Sequence, residues 1–201
     1  CFLMVAENYY YKPSLALIKD LIDQGYIGEL QTAAVQKHTA QEPGDWRSAY
    51  GTLLEGGIHF VALISAIFDA APIQVAAEFP GHQRGQSERH SILRLDYESG
   101  ASAELRYSWD TPSLTKGTFQ HSHIYGTQGK ITFESNGIYV RLKSAKKKKL
   151  YFPHLKDLMG YKAMTRDFID CIDDRSRTPY SDFDKAKRDL KIVFDAYENL
   201  D

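Results

Sequence analysis

Hydrophobic positions follow the helical period in three stretches of this chain. The first begins at Pro13, which suits the first turn of a helix, and ends at Gly25. The other two cover residues 161–174 and a stretch from about Ser181, where Asp184 makes a capping-box-like start. In these two, apolar residues recur at three- and four-residue spacings and are expected to face a core: Met164, Phe168, Ile169 and Ile172, then Ala186, Leu190, Val193, Phe194 and Tyr197.

Most of the remaining chain predicts short β-strands. Apolar and polar residues alternate at residues 91–97 and 103–107. The segments Glu98-Ser99-Gly100 and Asn136-Gly137 mark hairpin turns. Strands are predicted at residues 31–38, 73–79, 91–97, 101–109, 118–125, 130–134 and 138–142. The segments between consecutive strands are too short for most crossover helices. The predicted fold is therefore α+β, an open and mainly antiparallel sheet with helices packed on one face. The lysine run at residues 146–149 predicts a solvated loop.

One further helical stretch, residues 51–68, carries unusual residues in its first turns. It contains three glycines, each of which weakens a helix by about 1 kcal/mol relative to alanine. A glycine pair there indicates that another group comes close to the backbone. Glu55 and His59 are four residues apart and share a helix face, while Gly56 leaves space beside the imidazole. The pattern favours a proton-transfer group at the floor of a pocket; the alternative is that His59 is a capping or core residue.

Composition narrows the classes of function. The 201 residues carry a formal net charge of −1, which gives no electrostatic footprint for nucleic acid or an anionic membrane. Cys1 and Cys171 form no metal-type pair and fit a reducing, cytoplasmic setting. His121 and His123 share one side of a predicted strand, but no third ligand is evident, so no metal site is predicted. No glycine-rich turn joins a strand to a helix, as a bound nucleotide would require.

The beginning of the chain predicts a longer protein. It starts at Cys1 within an apolar run, and residues 2–6 have the pattern of a fully buried strand, a type that needs neighbours on both sides. We therefore interpret the chain as a piece of a longer polypeptide.

Several motifs, taken in order, resemble the C-terminal part of the Gfo/Idh/MocA oxidoreductases. The resemblance spans nearly the whole chain, and the order and spacing of the motifs make it far more specific than any one of them. The motifs are Val5-Ala-Glu-Asn-Tyr9 with Pro13, residues 21–28, Trp46-Arg47, Glu55-Gly-Gly-Ile-His59, residues 124–129 and residues 168–172 with Pro179.

This resemblance implies a two-domain parent enzyme. Residues 1–8 would be the last strand of an N-terminal Rossmann domain that binds NAD or NADP and is largely missing here. Residues 9–201 would form the C-terminal substrate and oligomerisation domain. The isolated chain would then hold no cofactor and be inactive, while its sheet face would form a homo-oligomer, most commonly a dimer. No nucleic-acid or membrane partner is expected.

The resemblance also implies roles for individual residues. The family pattern is Asp-x-Gly-x-His-x-x-Asp, in which Glu55 takes the first acidic position, Gly57 the glycine and His59 the histidine, a proposed acid/base; the closing aspartate is Ala62 here. The family's catalytic lysine belongs to a Glu-Lys-Pro motif that should precede Cys1; Lys12-Pro13 is not that motif, because it follows Asn8-Tyr9. The resemblance also implies that a cofactor held by the missing domain would approach the chain closely at Gly57.

The expected reaction is dehydrogenation of a sugar- or polyol-like substrate. His59 would take the proton from a substrate hydroxyl as hydride leaves the same carbon for a nicotinamide, and Glu55 would raise the histidine pKa or hold one tautomer. Five further residues are candidates to orient the substrate: Asn8, Lys37, His38, Trp46 and Arg47.

Two other interpretations remain open at this point. The chain can be a non-catalytic dimerisation or binding module, which Ala62 favours. The parent can also use NAD for lyase or glycosidase chemistry, as some relatives of the superfamily do, and the residues do not separate that reaction from a dehydrogenase.

Overall fold

The computed structural model describes residues 2–42, 44, 49–113, 115, 117–198 and 200. A 3₁₀ turn at Asn8–Tyr11 precedes the first helix, and a π-helical segment at Leu53–Gly57 precedes the second. The helices are α1 (Pro13–Asp23), α2 (Ile58–Phe68), α3 (Tyr161–Asp173) and α4 (Phe183–Tyr197). The strands are β1 (Leu30–His38), β2 (Gln74–Glu78), β3 (His90–Asp96), β4 (Ser102–Ser108), β5 (His121–Gly126), β6 (Gly129–Glu134), β7 (Val140–Ser144) and β8 (Lys148–Tyr151).

The eight strands form one open sheet in the order β2-β3-β4-β1-β5-β6-β7-β8. The pair β1 and β4 is parallel and every other neighbouring pair is antiparallel. Alternate residues such as Val35, Leu93 and Leu105 are buried on the face covered by helices, where α2 lies in the core. The predicted α+β architecture, with its mainly antiparallel sheet, is confirmed.

The sheet extends one strand further than the sequence predicts. The lysine run, predicted as a loop, instead leads into β8, whose Lys148 and Lys149 pair with Lys143 and Leu142 of β7. Repeated charged residues obscure the strand signal, yet they suit an edge strand because lysines discourage pairing with a further chain.

The two C-terminal helices bury less than their periodicity predicts. In α3 only Cys171 is buried, while Phe168, Ile169 and Ile172 are exposed. In α4, Ile192, Val193 and Ala196 are buried, but Phe194 is exposed. Periodicity therefore located both helices, whereas the face that packs was decided by the neighbouring elements.

Residues 2–6 do not join the sheet. Met4 forms a single bridge with Asp182, and the Val5 amide donates to the Ser181 carbonyl at 3.0 Å. The assignment of residues 1–8 to another domain stays a prediction. No helix within the described ranges is long and apolar enough to cross a membrane.

Candidate active site

His59 is paired with a carboxylate from the beginning of the chain. Its Nδ1 lies 2.7 Å from Oε2 of Glu7, and the other oxygen of Glu7 accepts the Tyr9 amide at 2.9 Å. Glu7 thus caps the 3₁₀ turn and holds the imidazole with the same carboxylate. Because an ionised carboxylate only accepts hydrogen bonds, Nδ1 carries a proton and Nε2 is the acceptor of the neutral ring. The imidazole retains 40% of its side-chain exposure, so it is accessible to a small molecule.

The surroundings of His59 favour its protonated form. Burial by itself lowers the pKa of the imidazole, but the hydrogen bond and charge of Glu7, followed by the charge of Glu55, raise it above the usual value. The ring of Tyr9 stacks on the imidazole with centroids 5.1 Å apart. Burial raises the pKa of Tyr9 well above its ordinary value, so this phenol stays protonated at neutral pH. His59 is therefore better suited than Tyr9 to exchange a proton near neutrality.

The helix that carries His59 begins irregularly. The five residues Leu53–Gly57 have π-helical hydrogen bonding, which is rare, occurs mostly as short segments within α-helices and is frequent at functional sites. The Leu53 amide donates to the buried carboxylate of Glu88 at 2.8 Å. The sequence predicted a regular helix with open space at Gly56, but a Cβ at Gly56 would lie 2.2 Å from the Tyr107 hydroxyl. The glycine thus makes room for a protein side chain, and Glu7 provides the hydrogen bond to His59 that was predicted as one possible role for Glu55.

Asn8 and Lys12 are both buried, and both contact Met159. The Asn8 amide donates to the Met159 carbonyl at 2.7 Å, and Lys12 Nζ lies 3.7 Å from the Met159 sulfur. Lys12 is only 1% exposed, with its ammonium 4.4 Å from the Tyr9 ring centroid. Lys12 therefore contacts the same aromatic ring as His59, although the sequence motifs gave it no role.

Lys37 reaches the same buried region from β1. Its ammonium donates to the Asn136 side-chain oxygen at 2.7 Å and to the Gly117 carbonyl at 2.5 Å. Asn136 in turn donates to the fully buried carboxylate of Glu134 at 2.9 Å. Burial lowers the pKa of Lys37, and the charge of Glu134 opposes that effect.

His38 faces the other side of the sheet. Because side chains alternate along a strand, Lys37 and His38 point to opposite faces. The His38 ring lies 6.3 Å from the ring of His90, and burial, followed by His90 and Arg106, lowers its pKa. The structure therefore places His38 on the sheet face opposite to that of Lys37, and the role of His38 in orienting a substrate stays a prediction.

The remaining predicted residues have different outcomes. Trp46 and Arg47 lie outside the described residues, so their substrate contacts stay predictions. Gly57 is buried, and a Cβ there would meet the Leu53 side chain at 3.0 Å, so local packing already accounts for this glycine. The approach of a cofactor to Gly57 stays a prediction. Ala62 is fully buried in the core. No group of three metal-ligating side chains occurs in the part of the chain that the structure describes.

Sequence reasoning missed two residues of this site. Glu7 lies within the motif before Asn8, but its pairing with His59, 52 positions away, is a tertiary contact. Lys12 was given no role by the sequence motifs. A lysine directly between aromatic residues and a proline, in an otherwise buried segment, was the available signal.

Comparison with protein families and curated proteins gives consistent matches. Residues 15–132, more than half of the chain, match the model of the GFO/IDH/MocA C-terminal domain. The chain is 29% identical over 134 residues to mouse trans-1,2-dihydrobenzene-1,2-diol dehydrogenase, a match that covers 64% of this chain and 38% of that protein. It is 26% identical over 146 residues to the D-xylose 1-dehydrogenase [NADP(+)] of Haloarcula marismortui, a match that covers 66% of this chain and 39% of that protein. The matched region is thus less than half of either relative.

Solved structures share the fold along almost the whole chain. An oxidoreductase from Agrobacterium radiobacter, in complex with NAD+, L-tartaric acid and magnesium, superposes with a TM-score of 0.83 at 18% identity, covering 98% of this chain and 62% of that one. The aldose-aldose oxidoreductase of Caulobacter crescentus, complexed with glycerol, also gives 0.83 at 18% identity, with 98% and 61% coverage. At this identity the likeness shows the fold alone.

Proposed function

Since the chain belongs to the GFO/IDH/MocA family, as a C-terminal domain, we propose that it is the substrate-binding half of an NAD(P)-dependent oxidoreductase that acts on a hydroxyl of a sugar- or polyol-like compound. The single observation that carries this proposal is the imidazole of His59, paired with Glu7 and still accessible to a small molecule. The dehydrogenases among its relatives support the reaction class, and the names of two relatives, which act on a sugar and a diol, support the substrate class.

The proposed role of His59 is proton transfer at the substrate hydroxyl. Its Nε2 accepts the hydroxyl proton as the carbonyl forms, and the resulting imidazolium is stabilised by Glu7 at 2.7 Å and by the charge of Glu55. In the reverse direction the imidazolium returns the proton to the oxygen. Asn8, Lys37, Trp46 and Arg47 are proposed to orient further hydroxyls of the substrate.

The nicotinamide supplies hydride transfer when it is bound. Within the described ranges no glycine-rich turn joins a strand to a helix, so these residues offer no cradle for a pyrophosphate. We therefore propose that NAD or NADP is held mainly by a domain outside this chain, with contact at Gly57 limited to close approach. Residues 1–8 are proposed as the link to that domain.

The direct test is nucleotide-dependent oxidation by the full-length parent protein. Sugars, polyols and diols are screened with NAD and NADP, and the reduced nicotinamide is followed by its absorbance. His59→Asn is expected to lower kcat by about 100-fold or more, the usual contribution of a general acid or base. The matched control is His82→Asn, at a histidine in the turn after β2, which should leave kcat unchanged.

The outcomes separate the competing interpretations. Unchanged turnover in His59→Asn would refute the acid/base role. If the parent neither binds a nicotinamide nor oxidises any compound of the screen, the non-catalytic dimerisation or binding module becomes the better interpretation. Nucleotide-dependent bond cleavage without net reduction would identify a lyase or glycosidase.

Self-association is proposed through the sheet face opposite the helices. This face carries exposed Phe119, Leu150 and Phe152 beside the basic side chains of Lys130 and Arg141. Contiguous exposed apolar residues are typical of interaction surfaces. Sedimentation of the chain should reveal a dimer that Leu150→Glu dissociates, whereas a monomer at all concentrations would contradict the proposal.

A further inference from the structure

Lys12 is the buried cation of this site whose charge is least compensated by direct contact. The ammonium has three donors, yet within the described ranges its one hydrogen-bond acceptor is the thioether of Met159 at 3.7 Å. A thioether is a weak acceptor, and the ring of Tyr9 at 4.4 Å adds only a cation–π contact. A lysine with 1% exposure is normally paired with a carboxylate.

The neighbouring carboxylates are already committed to other donors. Glu134 accepts from the amide and the side chain of Asn136 and from the Ile138 amide. Glu7 accepts from His59 and from the Tyr9 amide. Both carboxylates favour the charged form of Lys12 through space, but neither forms a hydrogen bond with it.

Within the described ranges, Lys12 is therefore a buried cation without a hydrogen-bonded carboxylate. The pKa of Lys12 is lowered to about 8, mainly by burial. The positive charge of Lys37 also lowers this pKa, whereas the negative charges of Glu134 and Glu7 raise it. The side chain is therefore still mainly charged at neutral pH. A buried ammonium of this kind is best stabilised by an oxygen anion at hydrogen-bond distance.

Lys12 and His59 lie against the same aromatic ring. Lys12 Nζ lies 4.4 Å from the centroid of the Tyr9 ring, and the His59 ring centroid lies 5.1 Å from the same point. The sum of these two distances is therefore the upper limit for the separation of the ammonium from the centre of the imidazole. Met159, which contacts both Lys12 and Asn8, fills the space next to the ammonium.

We propose that Lys12 binds a carboxylate of the substrate, so that the site takes a polyhydroxy acid, with the acid group at Lys12 and the reacting hydroxyl at His59. In this assignment the Met159 side chain gives way to the carboxylate when the ligand binds. The inference rests on the proposed function and narrows its substrate class.

The test compares two ligands that differ only at one carbon, D-gluconate and its neutral alcohol D-glucitol, by isothermal titration calorimetry on the full chain. D-gluconate is expected to bind about 10- to 100-fold more tightly, the range of one charge-assisted hydrogen bond. Lys12→Met should remove this preference. The matched control Lys19→Met removes a lysine of α1 whose ammonium donates to the Ala66 carbonyl, and it should retain the preference.

A second readout identifies the group involved. An anion bound at Lys12 raises the pKa of the ammonium, so D-gluconate binding at pH 8 should take up about half a proton, measured in buffers of different ionisation enthalpy. Lys12→Met should abolish this uptake and Lys19→Met should not. Thermal unfolding confirms that each variant is folded; if Lys12→Met is not, Lys12→Gln replaces it.

Equal binding of the two ligands, binding of neither, or an unchanged preference in Lys12→Met would overturn the inference. Its failure is distinguishable from failure of the oxidoreductase proposal. If D-gluconate binds through Lys12 but the parent protein shows no nicotinamide-dependent oxidation, only the enzymatic proposal fails. If the parent oxidises polyols but does not prefer D-gluconate over D-glucitol, or keeps that preference in Lys12→Met, only the carboxylate assignment fails.

Discussion

The pairing of His59 with Glu7 makes a quantitative prediction about the histidine pKa. The substitution Glu7→Gln keeps the size of the side chain and a carbonyl that can accept from Nδ1, while it removes the negative charge. An opposite charge within hydrogen-bond distance typically shifts a pKa by about 1–3 units. Because the imidazole is 40% exposed, solvent screens the interaction and the lower end applies, about one unit or 1.4 kcal/mol.

The assay is a titration of the imidazole carbon and proton resonances by NMR. The chain has seven histidines, and the His59 resonance is identified by its absence from the spectrum of His59→Asn. We expect Glu7→Gln to lower the His59 pKa by about one unit. Glu55→Gln is the matched control, and since Glu55 acts on His59 less than Glu7 does, it should cause a smaller decrease.

The same pair links protein stability to pH. Because the folded-state pKa of His59 is raised, the stabilisation by Glu7 is fully present below the unfolded pKa of about 6.5. It is lost as the pH rises through the higher, folded pKa. The free-energy difference between the wild-type chain and Glu7→Gln should therefore shrink on going from mildly acidic to alkaline pH. An unchanged His59 pKa in Glu7→Gln, or a larger decrease in Glu55→Gln, would refute the pairing.

Two further predictions concern the π-helical segment before His59. Gly56→Ala should destabilise the chain by about 1–3 kcal/mol, because the new Cβ would lie 2.2 Å from the Tyr107 hydroxyl. Gly57→Ala should cost less, since its Cβ would meet the flexible end of Leu53 at 3.0 Å and the Thr52 carbonyl at an ordinary contact distance of 3.4 Å. Urea unfolding measures the free energy of unfolding of both variants, and equal effects would contradict the packing argument. Glu88→Ala should cost about 1–3 kcal/mol by leaving the Leu53 amide without its acceptor at 2.8 Å, and a change in midpoint within error would show that the carboxylate is dispensable.

The sequence by itself determined the order of the elements. Alternation and turn residues predicted strands β1 to β7, and the apolar period with Pro13 and Gly25 predicted α1. These signals are local, because each depends on side chains a few residues apart. The edge strand β8 was not predicted, because a lysine run has no alternation of apolar and polar residues.

The sequence also indicated His59 as the residue of interest, through the glycines before it. It did not identify Glu7 as the partner of His59, nor the Tyr107 hydroxyl as the reason for Gly56. Both contacts join residues about 50 positions apart, and no periodicity extends over such a distance.

Only the tertiary structure decided which polar residues share the site. Strand β1 presents neighbouring lysine and histidine side chains to opposite faces, so Lys37 joins the buried network with Asn136 whereas His38 faces His90. Burial likewise turned Lys12, an unremarked lysine in the sequence, into an ammonium with a thioether as its acceptor. The physical reason is that a charge acquires its chemistry from the solvent and partners it loses on folding, and those are set by residues distant along the chain.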